Sequence, residues 1–208
     1  LVSSAEGYQN LCRLVTRNPA TNALSVSNAY TNIATQIAEG VDYTIRYQHD
    51  LGPGSFRTNF LATHYMDQSN KLFEEDAFDQ LNGTIDGPKD SATLDLTYSL
   101  SNWQFRWGVD WIGSMDSYAF LEEDPATSIF DFAVDDYTKQ WASVRYTTDN
   151  WQITGGVRNI TDEEPPTISQ GYYSRVGNAP LYSGYDYFGR EAWVQFVMSF
   201  GGEKNARN

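Results

Sequence analysis

Few residues of this sequence stand at a spacing that chemistry could use. Its two histidines, His49 and His64, fall near opposite ends of one hairpin pattern, and neither has a second His or a Cys at metal-ligand spacing. A Ser-based nucleophile would need a positioned serine, and no Gly-x-Ser-x-Gly elbow occurs. The expectation is therefore a protein that is not an enzyme, with no catalytic residue, no metal and no cofactor. The acidic runs Glu74-Glu75-Asp76 and Glu122-Glu123-Asp124, and Asp131 with Asp135 and Asp136, offer hard oxygen ligands. None follows the spaced pattern of a calcium loop, and solvated loop charge accounts for them. Asn82-Gly83-Thr84 and Asn159-Ile160-Thr161 match a glycosylation acceptor by chance. One late stretch is better suited to touching a ligand. It carries Tyr172, Tyr173, Arg175 and Tyr182, followed by Tyr185 and Tyr187. Tyr and Arg supply amphipathic contact area for sugars or chelated ions, but tyrosines at strand ends also serve as interfacial anchors. Both roles stay open for them.

Those residues must be held by something, and composition narrows what it is. The 208 residues suffice for one sizeable domain, with 15% aromatics, 14 Tyr, 6 Trp and 16 Gly. Mean hydropathy is -0.52, and no apolar run is long enough for a membrane helix. A β-barrel needs none, because its polar lumen face dilutes its lipid face. A net charge of -13 argues against nucleic acid as a partner, since phosphate binding requires clustered Lys and Arg. The lone Cys12 has no internal partner. It is either an idle thiol or bonded to a cysteine beyond this sequence. Leu1-Val2-Ser3-Ser4-Ala5-Glu6 lacks the basic and apolar regions of a signal peptide, so a leader is expected to have been removed close by, or the chain to begin within something larger.

Alternation of period two dominates from residue 28 onward. Residues 1–27 read as an irregular loop with turn chemistry at Arg17-Asn18-Pro19-Ala20-Thr21-Asn22. Val41, Tyr43, Ile45 and Tyr47 then alternate with Asp42, Thr44, Arg46 and Gln48. Leu51-Gly52-Pro53-Gly54 is a tight turn. The return run from Ser55 to about Met66 alternates less regularly, with Phe56, Thr58, Phe60, Ala62, His64 and Met66 on one parity. A second hairpin sets Leu94, Leu96 and Tyr98 against Thr93, Asp95 and Thr97, turns at Ser101-Asn102, and returns with Trp103, Phe105, Trp107, Val109 and Trp111 opposite Gln104, Arg106 and Asp110. A third spans residues 137–158 around Asp149-Asn150. A final strand has Ala192, Val194, Phe196, Met198 and Phe200 on one parity. Long loops at about 67–90, 116–136 and 161–184 separate these units.

Short and long connections thus alternate, as in outer-membrane barrels with tight periplasmic turns and long extracellular loops. About seven strands emerge, an odd number, whereas single-chain bacterial barrels have even ones. A seven-strand sheet would leave two unpaired edges in lipid, which costs several kcal/mol per group. Strands from elsewhere must complete it. Three tryptophans on one parity, Trp103, Trp107 and Trp111, together with Phe196 and Met198, are predicted to face lipid. Arg145, Arg158 and Arg190 fall on the inward parity, where they line a lumen or pair with acids across strands.

In order along the chain, Gly156-Val157-Arg158-Asn159-Ile160-Thr161-Asp162-Glu163-Glu164-Pro165-Pro166, a Tyr/Gly-rich loop, Tyr185-Asp186-Tyr187-Phe188-Gly189-Arg190 and the aromatic Phe200 resemble the C-terminal end of a TonB-dependent outer-membrane receptor. The resemblance is specific over 151–200 and looser over 28–150, where Gly40-Val41-Asp42 is the further marker. It implies an all-β fold, a transmembrane antiparallel β-barrel, of which residues 28–200 are the C-terminal segment of a twenty-two-strand type. It implies Phe200 as an assembly signal, although a polar tail, residues 201–208, follows it. It also implies a bacterial cell outer membrane location and uptake of a scarce solute, of siderophore, cobalamin or oligosaccharide class. The partners would be outer-membrane lipid, the rest of the barrel and its plug, and the TonB complex acting through that plug. Two other readings compete. One is a passive, porin-like barrel. The other is a soluble carbohydrate-binding β-sandwich, which would bury the aromatic faces between two sheets.

Overall fold

The computed structural model of the chain describes residues 15–27, 35–71, 76–170, 175–181 and 184–200. Cys12, the tail 201–208 and the start expected for the first strand at residue 28 lie outside those residues. The described elements are all strands. A small ribbon, β1 (Val15–Arg17) with β2 (Leu24–Val26), occurs where an irregular loop was expected. Its cause is local: the Asn18 side-chain oxygen accepts the Ala20 and Thr21 backbone N–H groups, folding the turn, and the flanking residues then pair.

The main body is a single antiparallel sheet. In chain order its strands are β3 (Thr35–Leu51), β4 (Gly54–Lys71), the two-residue β5 (Asp79–Gln80), β6 (Asp90–Leu100) and β7 (Trp103–Ile112), then, after the ribbon β8 (Met115–Asp116) with β9 (Ala133–Val134), β10 (Tyr137–Thr147) and β11 (Trp151–Arg158). A last ribbon, β12 (Arg175–Val176) with β13 (Ala179–Pro180), precedes β14 (Glu191–Met198). Seven long strands neighbour one another in the order β14-β11-β10-β7-β6-β4-β3, with β5 attached to β4 alone. That is a meander with no crossover, as the alternation of short and long connections predicts. Two of the short turns use a left-handed backbone, at Gly52 with φ 59°, which glycine adopts freely, and at Ser101 with φ 51°, which costs a side-chain-bearing residue more.

Register decides which side chains share a face, because directly paired residues project the same way. One row reads Tyr47, Thr58, Leu96, Trp107, Ala142, Val157, Ala192 across the seven long strands. The next reads Phe56, Tyr98, Phe105, Val144, Gly155, Val194. The apolar parities of all the strands therefore fall on one continuous face. The opposite face carries Asp42, Arg46, Asn59, Asp95, Arg106, Asp110, Lys139, Arg145 and Arg158. No second sheet packs on the apolar face among the described residues, so the sandwich expectation fails. Ile45 and Phe196, at the two ends of the sheet, are 57% and 60% exposed.

One irregularity was invisible in the sequence. β4 runs on to Lys71 rather than ending near Met66, and its register with β3 shifts at Glu39/Gly40, so that Met66 pairs with no residue of β3. This bulge exchanges the faces of the residues beyond it. Asp67 and Glu39 then follow on the side that His64 and Val41 occupy, which marks where the greasy band of this hairpin stops.

The buried core lies elsewhere, among the long connections. Ile85, Met115, Phe132, Val134, Tyr137, Ile168 and Tyr185 form one cluster. Hydrogen bonds bind the three connections to each other: Asp116 N–H to Gly83 O, the buried Ile85 N–H to Ser117 Oγ, and Ser169 N–H to Asp131 O.

Candidate functional site

Two places on this scaffold bring side chains into an arrangement with chemical consequences. The first is the polar face where β7, β10, β11 and β14 adjoin. Trp141 pairs with Gly108 of β7, and Trp193 of β14 pairs with Gly156 of β11. In both cases the indole lies over the glycine. A Cβ on Gly108 would stand 2.3 Å from the Trp141 ring, and one on Gly156 would stand 2.8 Å from the Trp193 ring. Glycine inside a strand weakens it unless another group needs the space, and here two tryptophans take it. The guanidinium of Arg106 stacks at 5.0 Å on Trp141 and is paired with Asp95. Arg145 donates through Nε to Thr154 Oγ1 at 3.3 Å. Around these groups is a cavity of about 290 Å³ that Lys139 and Arg158 also line.

The second place is the neck of the last long connection. Asn159 is fully buried with φ 47°, a conformation that Asn tolerates better than most residues. Its side chain closes a turn by donating to Glu163 O at 2.9 Å and accepting Glu163 N–H at 2.8 Å. Asp162, at φ 60°, accepts the Arg190 backbone N–H at 2.8 Å and forms an ion pair of 3.3 Å with its guanidinium. Gly189 has φ 74°, and a Cβ there would stand 3.2 Å from the same carboxylate. The Asn-Ile-Thr-Asp and Gly-Arg segments that carry the family resemblance are therefore one physical clasp.

The residues expected to meet a ligand are dispersed. Tyr172, Tyr173 and Tyr182 lie outside the described residues. Arg175 is turned onto its own ribbon, donating to Gly177 O at 2.9 Å and Asn178 Oδ1 at 3.1 Å. Tyr185 is in the core of the connections, where burial pushes its phenol well above its ordinary pKa and the neighbouring Tyr187 and Tyr137 add to the rise. Burial also raises Tyr187, whose hydroxyl donates to Pro180 O. Both remain neutral phenols at physiological pH, and both hold the connections together. His64 Nδ1 lies 2.6 Å from Asp90 Oδ1, and His49 stacks on Tyr47. Among the described residues no three His, Cys, Asp or Glu side chains gather as metal ligands do.

Trp103, Trp107, Trp111, Phe196 and Met198 all stand on the apolar face. Near the short turns Trp103, Tyr146, Trp151 and Phe196 form a band, with successive ring centroids 4.7, 5.6 and 6.1 Å apart. Phe200, just beyond β14, is 83% exposed. Trp141 and Trp193 were not singled out from sequence. The signal was present, since each is a tryptophan on the polar parity of its strand, across from a strand-interior glycine.

One greasy face, one charged face and an aromatic band at the turn level define a wall segment of a transmembrane antiparallel β-barrel. The family model "TonB dependent receptor-like, beta-barrel" matches residues 8–160, and the chain belongs to that family. The matched span is the part over which the motif resemblance is looser, and it ends inside the Gly156–Pro166 motif. No curated protein matches the sequence. Among solved structures, the chain is similar to a mutant ferric enterobactin receptor from Pseudomonas aeruginosa, with 15% identity and a TM-score of 0.53, over 81% of this chain and 23% of that one. At that identity the likeness concerns the fold. The chain spans about a quarter of the length of that receptor.

Proposed function

We propose that this chain forms the C-terminal wall, outer connections and assembly signal of an outer-membrane receptor that takes up a scarce solute on energy delivered by the TonB complex. The plug that TonB would pull, and the other strands, belong to the same receptor. Residues 15–27 and the connections around the buried cluster stand on the outer side, and the turns at Gly52, Ser101 and Asn150 on the periplasmic side. Trp103, Trp107, Trp111, Phe196 and Met198 meet lipid, and Phe200 serves barrel assembly. Tyr172, Tyr173, Arg175 and Tyr182 are the candidate solute contacts.

The observation that carries this reading is the register, which gathers the apolar parity of seven long strands onto one uncovered face while the other keeps its charges. An uncovered apolar face of that extent is unstable in water, and lipid is the solvent that satisfies it. Family membership supports the energised transport in this reading. The solute class stays among ferric siderophore, cobalamin and oligosaccharide.

Membrane extraction and uptake test the two halves separately. The receptor should resist release by high salt and come out with detergent; release by salt alone would end the barrel reading. Solute accumulation by cells should stop when the proton gradient is collapsed. Uptake that continued unchanged would instead identify a passive, porin-like barrel.

A further inference from the structure

The buried cluster of the long connections lies on a definite side of the sheet. Tyr137 pairs with Ile112, and Lys139, two residues on, pairs with Asp110, so Tyr137 and Ile112 stand at the end of the charged face. Ile112 packs against the cluster, Tyr185 meets Tyr137 edge-on with ring centroids 5.0 Å apart, and Asp186 lies 3.9 Å from Lys139. The connections therefore fold over the rim onto the charged face. Their links are specific: Gly83 O accepts the Asp116 N–H, Ser117 Oγ the Ile85 N–H, and Asp131 O the Ser169 N–H. Three connections are thus tied into one packed body.

Two hydroxyls are buried in that body's core, and they differ in one respect. Tyr137, 4% exposed, donates to Glu163 O at 3.3 Å. Tyr185, 5% exposed, has a hydroxyl with no hydrogen-bond partner among the described residues. Its oxygen also has almost no open surface, so neither water nor the rest of the receptor reaches it unless the surrounding side chains first move apart. A phenylalanine would fill the same space and leave nothing unmet. An unmet buried hydroxyl weighs against the packing that buries it, by about ten-fold relative to an arrangement in which water satisfies it. The Tyr185 ring holds the connections closed, and its hydroxyl opposes them. We propose that Tyr185 is a strain device, whose hydroxyl keeps the body of connections close to opening so that it parts from the charged face readily and recloses. Once the cluster opens, water meets the hydroxyl and the strain is gone.

Hydrogen exchange tests this on the intact receptor polypeptide, folded in detergent, under conditions where the rate reports the opening equilibrium. The amides that tie the connections together, at Ile85, Asp116 and Ser169, are the probes. In Tyr185→Phe they should exchange about ten-fold more slowly than in the wild type, with β6 and β7 unchanged. Tyr137→Phe removes a hydroxyl that has a partner, and should leave the probes as fast or faster. Heat-dependent electrophoretic mobility confirms that each variant is folded. Unchanged or faster exchange in Tyr185→Phe would overturn the proposal, and is the result expected if the hydroxyl finds a partner in the assembled receptor. Slowing that extended equally to β6 and β7 would overturn it as well, since that marks a general gain in stability. Equal slowing in Tyr137→Phe would show that loss of any phenol oxygen has the same effect, and so would overturn it too. Failure of Tyr185→Phe to assemble counts against it, because removing an unmet group cannot weaken the packing. None of these measurements needs a solute or an energy source. Their outcome is separate from the uptake reading, on which only the position of the device at the outer mouth of the barrel depends.

Discussion

At the scale of single residues, the clasp at the neck of the last connection separates strong interactions from weak ones. Asn159 is buried and satisfies two backbone groups of Glu163, so Asn159→Ala takes the partner from the Glu163 N–H, leaves the Glu163 carbonyl only the Tyr137 hydroxyl at 3.3 Å, and places Ala at a positive φ. Unmet buried hydrogen bonds cost about 1–3 kcal/mol, and the left-handed backbone adds about 1 kcal/mol. The Asp162–Arg190 ion pair is about half exposed on both sides, and exposed pairs contribute under about 1 kcal/mol. Asp162→Asn keeps an oxygen for the Arg190 N–H and should cost little. Chemical unfolding should therefore rank Asn159→Ala well below Asp162→Asn in midpoint. Equal midpoints would show that the clasp is held by charge. The sequence exposes these residues through the motif alone. Asp162 and Arg190 are 28 positions apart, and no local periodicity reports that two loop ends meet.

At the scale of elements, periodicity read from sequence recovers a strand's faces wherever the strand is regular. The alternations at 41–47, 92–100 and 103–111 all reappear as shared faces. It loses them in β4 for a physical reason. Thr58 and His64 dilute the apolar parity, and the bulge at Met66 reverses it, an event that depends on the partner strand. Gly40 stands opposite this irregularity, and a Cβ there would come within 2.7 Å of the His64 carbonyl oxygen. Main chain cannot swing aside as a side chain does. Gly40→Val should accordingly lower stability by about 1–3 kcal/mol, the usual cost of overpacking. Deleting Met66 removes the extra residue while leaving the pairs on either side in place, and should relax the close approach. In a double-mutant cycle the deletion is expected to recover part of the Gly40→Val loss. Strictly additive costs would show that the contact and the bulge are independent.

For the molecule as a whole, the distribution of burial argues for a lipid environment more strongly than any motif does. The buried cluster belongs to the connections, whereas among the described residues the sheet leaves its greasy face bare and its edge strands β3 and β14 each paired on one side only. Such a sheet is stable only when further strands close it and hydrocarbon covers it. This predicts an asymmetry between adjacent residues of one strand. Leu96 pairs with Thr58 and Trp107 in the middle of the greasy face, and its neighbour Thr97 pairs with Arg57 and Arg106 on the polar one. Leu96→Arg would place a guanidinium in hydrocarbon, at about 2–4 kcal/mol near the bilayer midplane. Thr97→Arg adds a cation beside Arg57 and Arg106 on a wet wall, where water and Asp95 screen it, and should cost under about 1 kcal/mol. Reversible unfolding of the receptor from lipid vesicles measures the difference. A ratio in the opposite sense, with Thr97→Arg the worse, would mean that the charged face is the one against lipid, and the orientation of the wall would have to be inverted.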